Sequence, residues 1–280
     1  MIKSILACTD GSAHGDTACD YAFHLAGKIR AHVTGLHVLD SRVLEGPLMA
    51  DISGWLGASP FADQLQQFRS LLENKGSAIA DAFEKKAAAT GLIAGCNVKM
   101  GHPARVILHE EVSAELVILG QRGEHADILG DVAGTVAERV VRRSDKPCLL
   151  TPKTFKPVGK ILVAYDGSSL ASKALHEGIE LALAAKIPLV VLSVAEHHDL
   201  DSAQEYAQAA MRLVRAHECA AAPMAAKGLA GPVILRIAEE IAADLIVIGA
   251  FGHTRMRELI LGGTASFLLS RSNKPVMLVR

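Results

Sequence analysis

Short continuous apolar runs alternate along this chain with longer stretches whose apolar residues recur at helical spacing. Ile5–Cys8, Val33–Val38, Cys96–Met100, Leu116–Leu119 and Cys148–Thr151 read as strands. Ala18, Tyr21, Ala22, Leu25, Ala26 and Ile29 mark one face of a helix between the first two. A long helix is predicted from Gln64 to Ala89. Another opens near Pro103, where proline suits a first helical turn, and a further one follows Gly134-Thr135. The same order then returns. Its strands are Ile161–Ala164, Leu189–Val194, Pro223–Ala226, Leu245–Ile248 and Val276–Val279, with helices between them and Pro232 in the place of Pro103. The runs are continuous and β-branched, as parallel strands covered on both faces require. Strand–helix alternation with right-handed crossovers gives an α/β protein built on doubly wound parallel sheets.

The repeat is visible residue by residue. Ile5-Leu6-Ala7-Cys8-Thr9-Asp10-Gly11-Ser12 matches Ile161-Leu162-Val163-Ala164-Tyr165-Asp166-Gly167-Ser168, and Leu116 to Gly123 matches Leu245 to Gly252. Each half closes on Lys-Pro and an apolar run, at Lys146-Pro147 and Lys274-Pro275. An internal repeat fixes the folding unit, here about half the chain. We expect two domains, residues 1–153 and 158–280, packed as a pseudo-dimer through a short linker at Lys153–Gly159. The first half carries 27 extra residues between its second strand and Pro103. Most of them are assigned to Leu39–Asp63, which contains Gly46-Pro47, Gly54-Trp55 and Ser59-Pro60.

Composition narrows the function classes. With 280 residues and 50% hydrophobic content the chain can bury two cores without staples. A net charge of −1, no basic run and 4% aromatics argue against nucleic acid and anionic membranes as partners. No apolar stretch reaches the roughly 20 residues that span a bilayer. The five cysteines include no CxxC pair and read as free, partly buried thiols. Met1-Ile2-Lys3 leads straight into a strand, so a cytoplasmic location is expected.

In an open parallel sheet, ligands sit beyond the carboxyl ends of the strands, where the strand order reverses. Three repeated features converge there. Asp10 and Asp166 follow the first strand of each half, and His37-Val38 and Ser193-Val194 end the second. Glycine turns, Gly120/Gly123 and Gly249/Gly252, follow the fourth. Glycine admits positive φ and close approach of a ligand. About ten residues on, a helix opens at Gly134-Thr135 and at Gly262-Gly263-Thr264. Its unpaired N–H groups and dipole suit phosphate. An Asp opposite could hold a ribose hydroxyl or a phosphate-bound Mg²⁺.

These residues resemble the universal stress protein family, whose pattern is G-2x-G-9x-G-(S/T) with a strand-one Asp. The resemblance covers essentially the whole chain, as a tandem member. It implies five parallel strands in the order 3-2-1-4-5 in each half, with the last strands, Cys148–Thr151 and Val276–Val279, paired across the interface so that neither leaves an uncovered apolar edge. It also implies adenine nucleotide, ATP or AMP, in one or both halves, with phosphates on Gly120, Gly123, Gly134 and Thr135 or on Gly249, Gly252, Gly262, Gly263 and Thr264. Asp10 with Val38, and Asp166 with Val194, would contact the nucleoside. Both halves depart from the pattern: ten residues separate Gly123 from Gly134, and Gly263 follows Gly262 where Ser or Thr is usual. The second half fits either of two registers, one pairing Gly134-Thr135 with Gly263-Thr264 and one shifted by a residue.

The plainer readings are kept alongside. Asp10 and Asp166 could only shape an Asp-Gly-Ser turn, and Thr135 and Thr264 could be N-caps. His197-His198-Asp199 and His217-Glu218-Cys219 match no compact zinc spacing and read as surface positions, so no metal site is assigned. No position matches a strong general base, so at most slow ATP hydrolysis is expected. The expected function is that of a nucleotide-responsive stress or regulatory binding protein, not an enzyme, with an unidentified protein partner and room for homo-oligomers. The alternative is a nucleotide-free scaffold that binds a protein or an apolar ligand through the Leu39–Asp63 insertion.

Overall fold

The computed structural model describes residues 2–42, 60–123, 136–196, 199–251 and 261–280. In the first half, β1 (Ser4–Cys8), β2 (His32–Asp40), β3 (Cys96–Gly101), β4 (Leu116–Gly120) and β5 (Cys148–Thr151) are joined by helices. These are α1 (Ala13–Ile29), α2 (Pro60–Ala89), α3 (Pro103–Glu110) and α4 (Val136–Val141). The second half repeats the order with β6 (Ile161–Ala164), β7 (Leu189–Ala195), β8 (Ala221–Lys227), β9 (Leu245–Gly249) and β10 (Val276–Val279). Its helices are α5 (Ser169–Ala185), α6 (Leu200–Ala216), α7 (Ala230–Glu240) and α8 (Gly263–Arg271).

All ten strands form one sheet in the order β3-β2-β1-β4-β5-β10-β9-β6-β7-β8. Each half therefore has the order 3-2-1-4-5, and the second mirrors the first. Pairing is parallel inside each half and antiparallel at the junction, where Met277 stands opposite Leu149 and Val276 opposite Leu150. The last strands thus meet as the resemblance implied. The consequence is a continuous sheet, with no gap between two separate ones.

The core follows the sheet, not the halves. Along β1, Ile5 and Ala7 point into one buried cluster, and Leu6 and Cys8 into the other. Residues of α1, α2, α5 and α6 cover the first face. Residues of α3, α4, α7 and α8 cover the second. Each cluster runs across the junction, so the two cores are the two faces. Burial on both sides is why the central strands β1, β4, β5, β6, β9 and β10 are almost continuously apolar, while the outer strands β3 and β8 are largely exposed. Cys8, Cys19 and Cys148 are buried in these clusters as small hydrophobes. Burial pushes the Cys19 and Cys148 thiols up to about 12.

Two features differ from the reading of the repeat. The extra length of the first half is not confined to a loop, because α2 has 30 residues and its counterpart α6 has 17. Pro103 and Pro232 are not equivalent. Pro103 opens α3, whereas Pro232 is the third residue of α7, which opens at Ala230. Gly101, the last residue of β3, and Gly228, the residue after β8, are the matching positions, both at positive φ. Proline is tolerated in the first turn of α7 because an N–H there has no partner within the helix.

Leu149→Ala, at a side chain that is 0% exposed in the junction, should cost about 2–5 kcal/mol in urea unfolding. Because both faces are shared, the wild-type chain should unfold in a single transition. Two resolved transitions, only one of them moved by the substitution, would show that the halves fold independently.

Candidate functional site

The carboxyl ends of β1, β2 and β4 converge on a short polar turn. β1 ends at Cys8, and the Thr9 amide donates to the Leu36 carbonyl of β2 (2.9 Å). The Thr9 carbonyl accepts from Nδ1 of buried His37 (2.9 Å), which ties the end of β2 to the turn. Gly11 then takes φ +79°, a conformation L side chains rarely adopt. Ser12 caps α1 by accepting from the Gly15 amide at 3.2 Å.

Asp10 has two roles here. Its Oδ1 accepts from the Ser12 amide at 3.0 Å, so it does shape the turn. Its Oδ2 faces the glycine turn after β4: a Cβ added at Gly123 would lie 3.2 Å from it. Gly15 makes room for the same carboxylate, since a Cβ there would lie 2.6 Å from Oδ1. Gly120 meets the start of α1, with an added Cβ only 2.7 Å from the Cβ of His14. Asp10, Gly120 and Gly123 are therefore brought together, and Val38 lies at the adjoining end of β2. Gly134 and Thr135 lie outside the described residues.

The second half keeps the frame and changes the surface. Ser168 caps α5 through the Ala171 amide, Asp166 Oδ1 accepts from the Ser168 amide, and Gly167 takes φ +82°. At matched positions Thr9 becomes Tyr165, His14 becomes Leu170, and Gly15 becomes Ala171. His37 becomes Ser193, and Gln121-Arg122 becomes Ala250-Phe251. Ala171 carries a methyl where Gly15 has none, and Asp166 Oδ1 still accepts from the Ser168 amide at 3.0 Å. The Ser193 hydroxyl is buried and has no hydrogen-bond partner, because it is too short to make the bond that His37 makes. Tyr206 of α6 lies over Gly167, with its ring carbons 2.8 and 2.9 Å from an added Cβ. Val194 is the next-to-last residue of β7. Gly252 lies outside the described residues.

Gly262 is the N-cap of α8, and its amide donates to the Ala250 carbonyl at 3.0 Å. Gly263 is the first helical residue, with open space where a Cβ would be. No side chain caps the leading amides of α8, so Thr264 is not the N-cap. Buried positions on the two closing helices choose between the registers. Ala137 and Val140 of α4 match Ala265 and Leu268 of α8, an offset of 128 residues. Gly134-Thr135 therefore correspond to Gly262-Gly263, and Thr264 takes the place of Val136.

Sequence reasoning missed His14, Gly15 and the bonded role of His37. The signal available was the contrast between these residues and Leu170, Ala171 and Ser193 within an otherwise matching repeat. His217, from the rejected zinc reading, stacks edge-on against His176 at 5.2 Å. His197 and His198 lie outside the described residues. Among the described residues no group of three or more His, Cys, Asp or Glu side chains is arranged for a metal ion.

Two five-stranded parallel α/β units joined through their last strands define an intramolecular pair of one fold. The chain belongs to the universal stress protein family, whose model matches residues 1–152 and again residues 157–280. It is similar to a universal stress protein of Synechocystis sp., 30% identical over 287 residues and 100% of both chains. A universal stress protein of Mycolicibacterium smegmatis is 23% identical, over 99% of this chain and 96% of the relative. Among solved structures, one of a universal stress protein from Archaeoglobus fulgidus superposes with a TM-score of 0.75 at 21% identity. That match covers 99% of this chain and 96% of the other.

The contacts at Gly120 and Gly249 differ enough to measure. An added methyl meets His14 Cβ at 2.7 Å in the first half and Leu170 Cβ at 3.1 Å in the second. Gly120→Ala should therefore destabilise by about 1–3 kcal/mol, and Gly249→Ala by less. Equal losses in urea unfolding would mean that the helix start does not press on Gly120.

Proposed function

We propose that the first half binds an adenine nucleotide, ATP or AMP, and that the protein acts as a nucleotide-responsive stress or regulatory protein. The observation that carries this reading is the placement of Asp10. One carboxylate oxygen is held by the turn, and the other faces the glycine turn at Gly123. A carboxylate fixed beside a Cβ-free turn suits a ribose hydroxyl next to a phosphate, and equally a phosphate-bound Mg²⁺. Val38 offers an apolar contact for the base, and Gly120 and Gly123 let the phosphates approach the backbone. Gly134 and Thr135 would complete the phosphate contacts.

The second cleft is the weaker candidate for the same ligand. Asp166, Val194, Gly249, Gly252, Gly262 and Gly263 are retained, and the leading amides of α8 favour an anion. Ala171, Leu170 and the Tyr206 ring crowd or depolarise the part that Asp10 uses in the first half. Among the described residues no group in either cleft is placed as a strong base, and we read the role as binding, with at most slow hydrolysis. No described helix is long and apolar enough to cross a membrane, and a cytoplasmic role follows from this reading. A partner-binding role for the first-half insertion has one observation behind it: in the part of α2 that follows, Leu71 is 65% exposed.

Mass spectrometry of the supernatant from denatured protein, followed by calorimetric titration with ATP and AMP, tests this. Gly123→Val should lower affinity by at least about tenfold, since the added branch meets both Asp10 and the approaching phosphates. Asp10→Ala should also weaken binding. Unchanged affinity in both variants would remove the first cleft, and a protein that binds neither nucleotide would favour the scaffold.

A further inference from the structure

The segment that joins the halves is fastened to α1 by three side chains in a row. The Thr17 hydroxyl shares its one proton between the Ala13 carbonyl of its own helix, at 2.8 Å, and the Lys153 carbonyl, at 2.9 Å. One turn on, the Tyr21 hydroxyl accepts from the Lys156 amide at 3.2 Å. Nearly one turn further, His24 Nε2 accepts from the Val158 amide at 3.0 Å. Phe155 packs edge-on against Tyr21 at 4.9 Å and against His24 at 5.6 Å. Val158 is buried in the cluster that both halves share. Gly159 continues the attachment by donating to Asp244 Oδ2 at 2.9 Å.

The repeat shows what these side chains are for. At the same offset, Thr17, Tyr21 and His24 correspond to Lys173, Glu177 and Glu180 of α5, where no linker runs. The unit folds without this row, so the row belongs to the linker.

A backbone N–H can only donate, so the bond from Val158 requires a bare Nε2. His24 must be neutral, with its proton on Nδ1. A proton on Nε2 would set N–H against N–H and break the bond. We propose that His24 is a pH-sensitive fastener, whose protonation releases the linker from α1 and loosens the coupling of the two halves. The release would reach the first cleft, because the linker leaves β5 at Thr151, whose carbonyl accepts from Gln121 in the glycine turn at 3.0 Å.

The electrostatic setting favours the neutral ring. Burial lowers the His24 pKa, and the Lys28 charge one turn away adds to this. Other charged groups on the surrounding elements are Asp20 on α1, Lys153, Lys156 and Lys160 around the linker, and Asp244 before β9. On α5 they are Lys173, His176, Glu177 and Glu180. A histidine whose folded-state pKa lies below its unfolded value leaves the unfolded chain binding more protons. Its contribution to stability is therefore full above about pH 6.5 and is lost as pH falls toward the folded value.

The test uses the full chain and two readouts. Imidazole nitrogen NMR of wild type should show the Nδ1-protonated tautomer at neutral pH and titration below the ordinary range near about 6.5. Amide exchange at Val158, corrected for intrinsic rate, should lose about tenfold protection for each pH unit below the His24 pKa. His24→Gln keeps an acceptor and does not titrate, so its Val158 protection should stay level over the same range. A ring protonated on Nε2 at neutral pH would overturn the proposal. So would wild-type protection that ignores pH, or His24→Gln protection that falls in parallel with wild type. The wild-type titration decides the question even if the variant folds poorly.

Discussion

The antiparallel pairing of β5 with β10 sets most of what this molecule can do. It satisfies backbone groups that two free sheet edges would otherwise expose. It also places Val276, the start of β10, opposite Leu150 near the end of β5. The strands of the second half therefore begin where those of the first half end. A linker of a few residues can make the connection for that reason, and it does so lying against α1. The same pairing turns the two clefts to opposite ends of the sheet, so a ligand in one cleft cannot touch a ligand in the other. Any coupling between them has to pass through the shared faces, the junction or the linker.

A glycine in this fold answers to more than one demand. Gly120 looks like a phosphate residue, yet its measured constraint is the start of α1 pressed against it. Gly15 never entered the motif, yet it is what lets the Asp10 carboxylate fold back against its own helix. The family pattern and the packing requirement overlap at Gly120 and part company at Gly15. The second half shows the result. It retains the glycines of the pattern while Leu170 and Ala171 stand where the first half has His14 and Gly15, so the motif and its surroundings vary independently.

The strands were legible because each rests on a local apolar run and a repeat, whereas their order and the pairing of the last strands came from the family resemblance that the repeated motif carries. The position of Asp10 at the end of β1 was legible from the same run and repeat. What stayed hidden rests on contacts between residues far apart in sequence. The bond from Val158 to His24 spans 134 residues and leaves no periodic trace. The shared faces were hidden too, since an apolar strand looks the same whether its core is private or common. The correspondence of Gly134-Thr135 with Gly262-Gly263 needed buried helix positions, because one residue is missing between the two markers on either side. Pro232 misled because proline is accepted at several places in a first helical turn. The length of α2 was mostly visible: it opens at Pro60, one turn ahead of the predicted Gln64, and ends at Ala89 as predicted.

Duplication within one chain changes the constraints on each copy. A symmetric dimer must use identical residues on both sides of its seam and in both clefts. A fused pair is free of that rule. The row of Thr17, Tyr21 and His24 exists only in the first half, where it meets the linker, and acidic and basic residues stand at the matching places on α5. The clefts have diverged in the same way, with His14 and Gly15 against Leu170 and Ala171. Fusion thus supplies two things that the single unit lacks: a segment that can be held or released, and a second cleft able to change without loss of the first. Both depend on the junction being permanent, which the continuous sheet and its two shared cores provide.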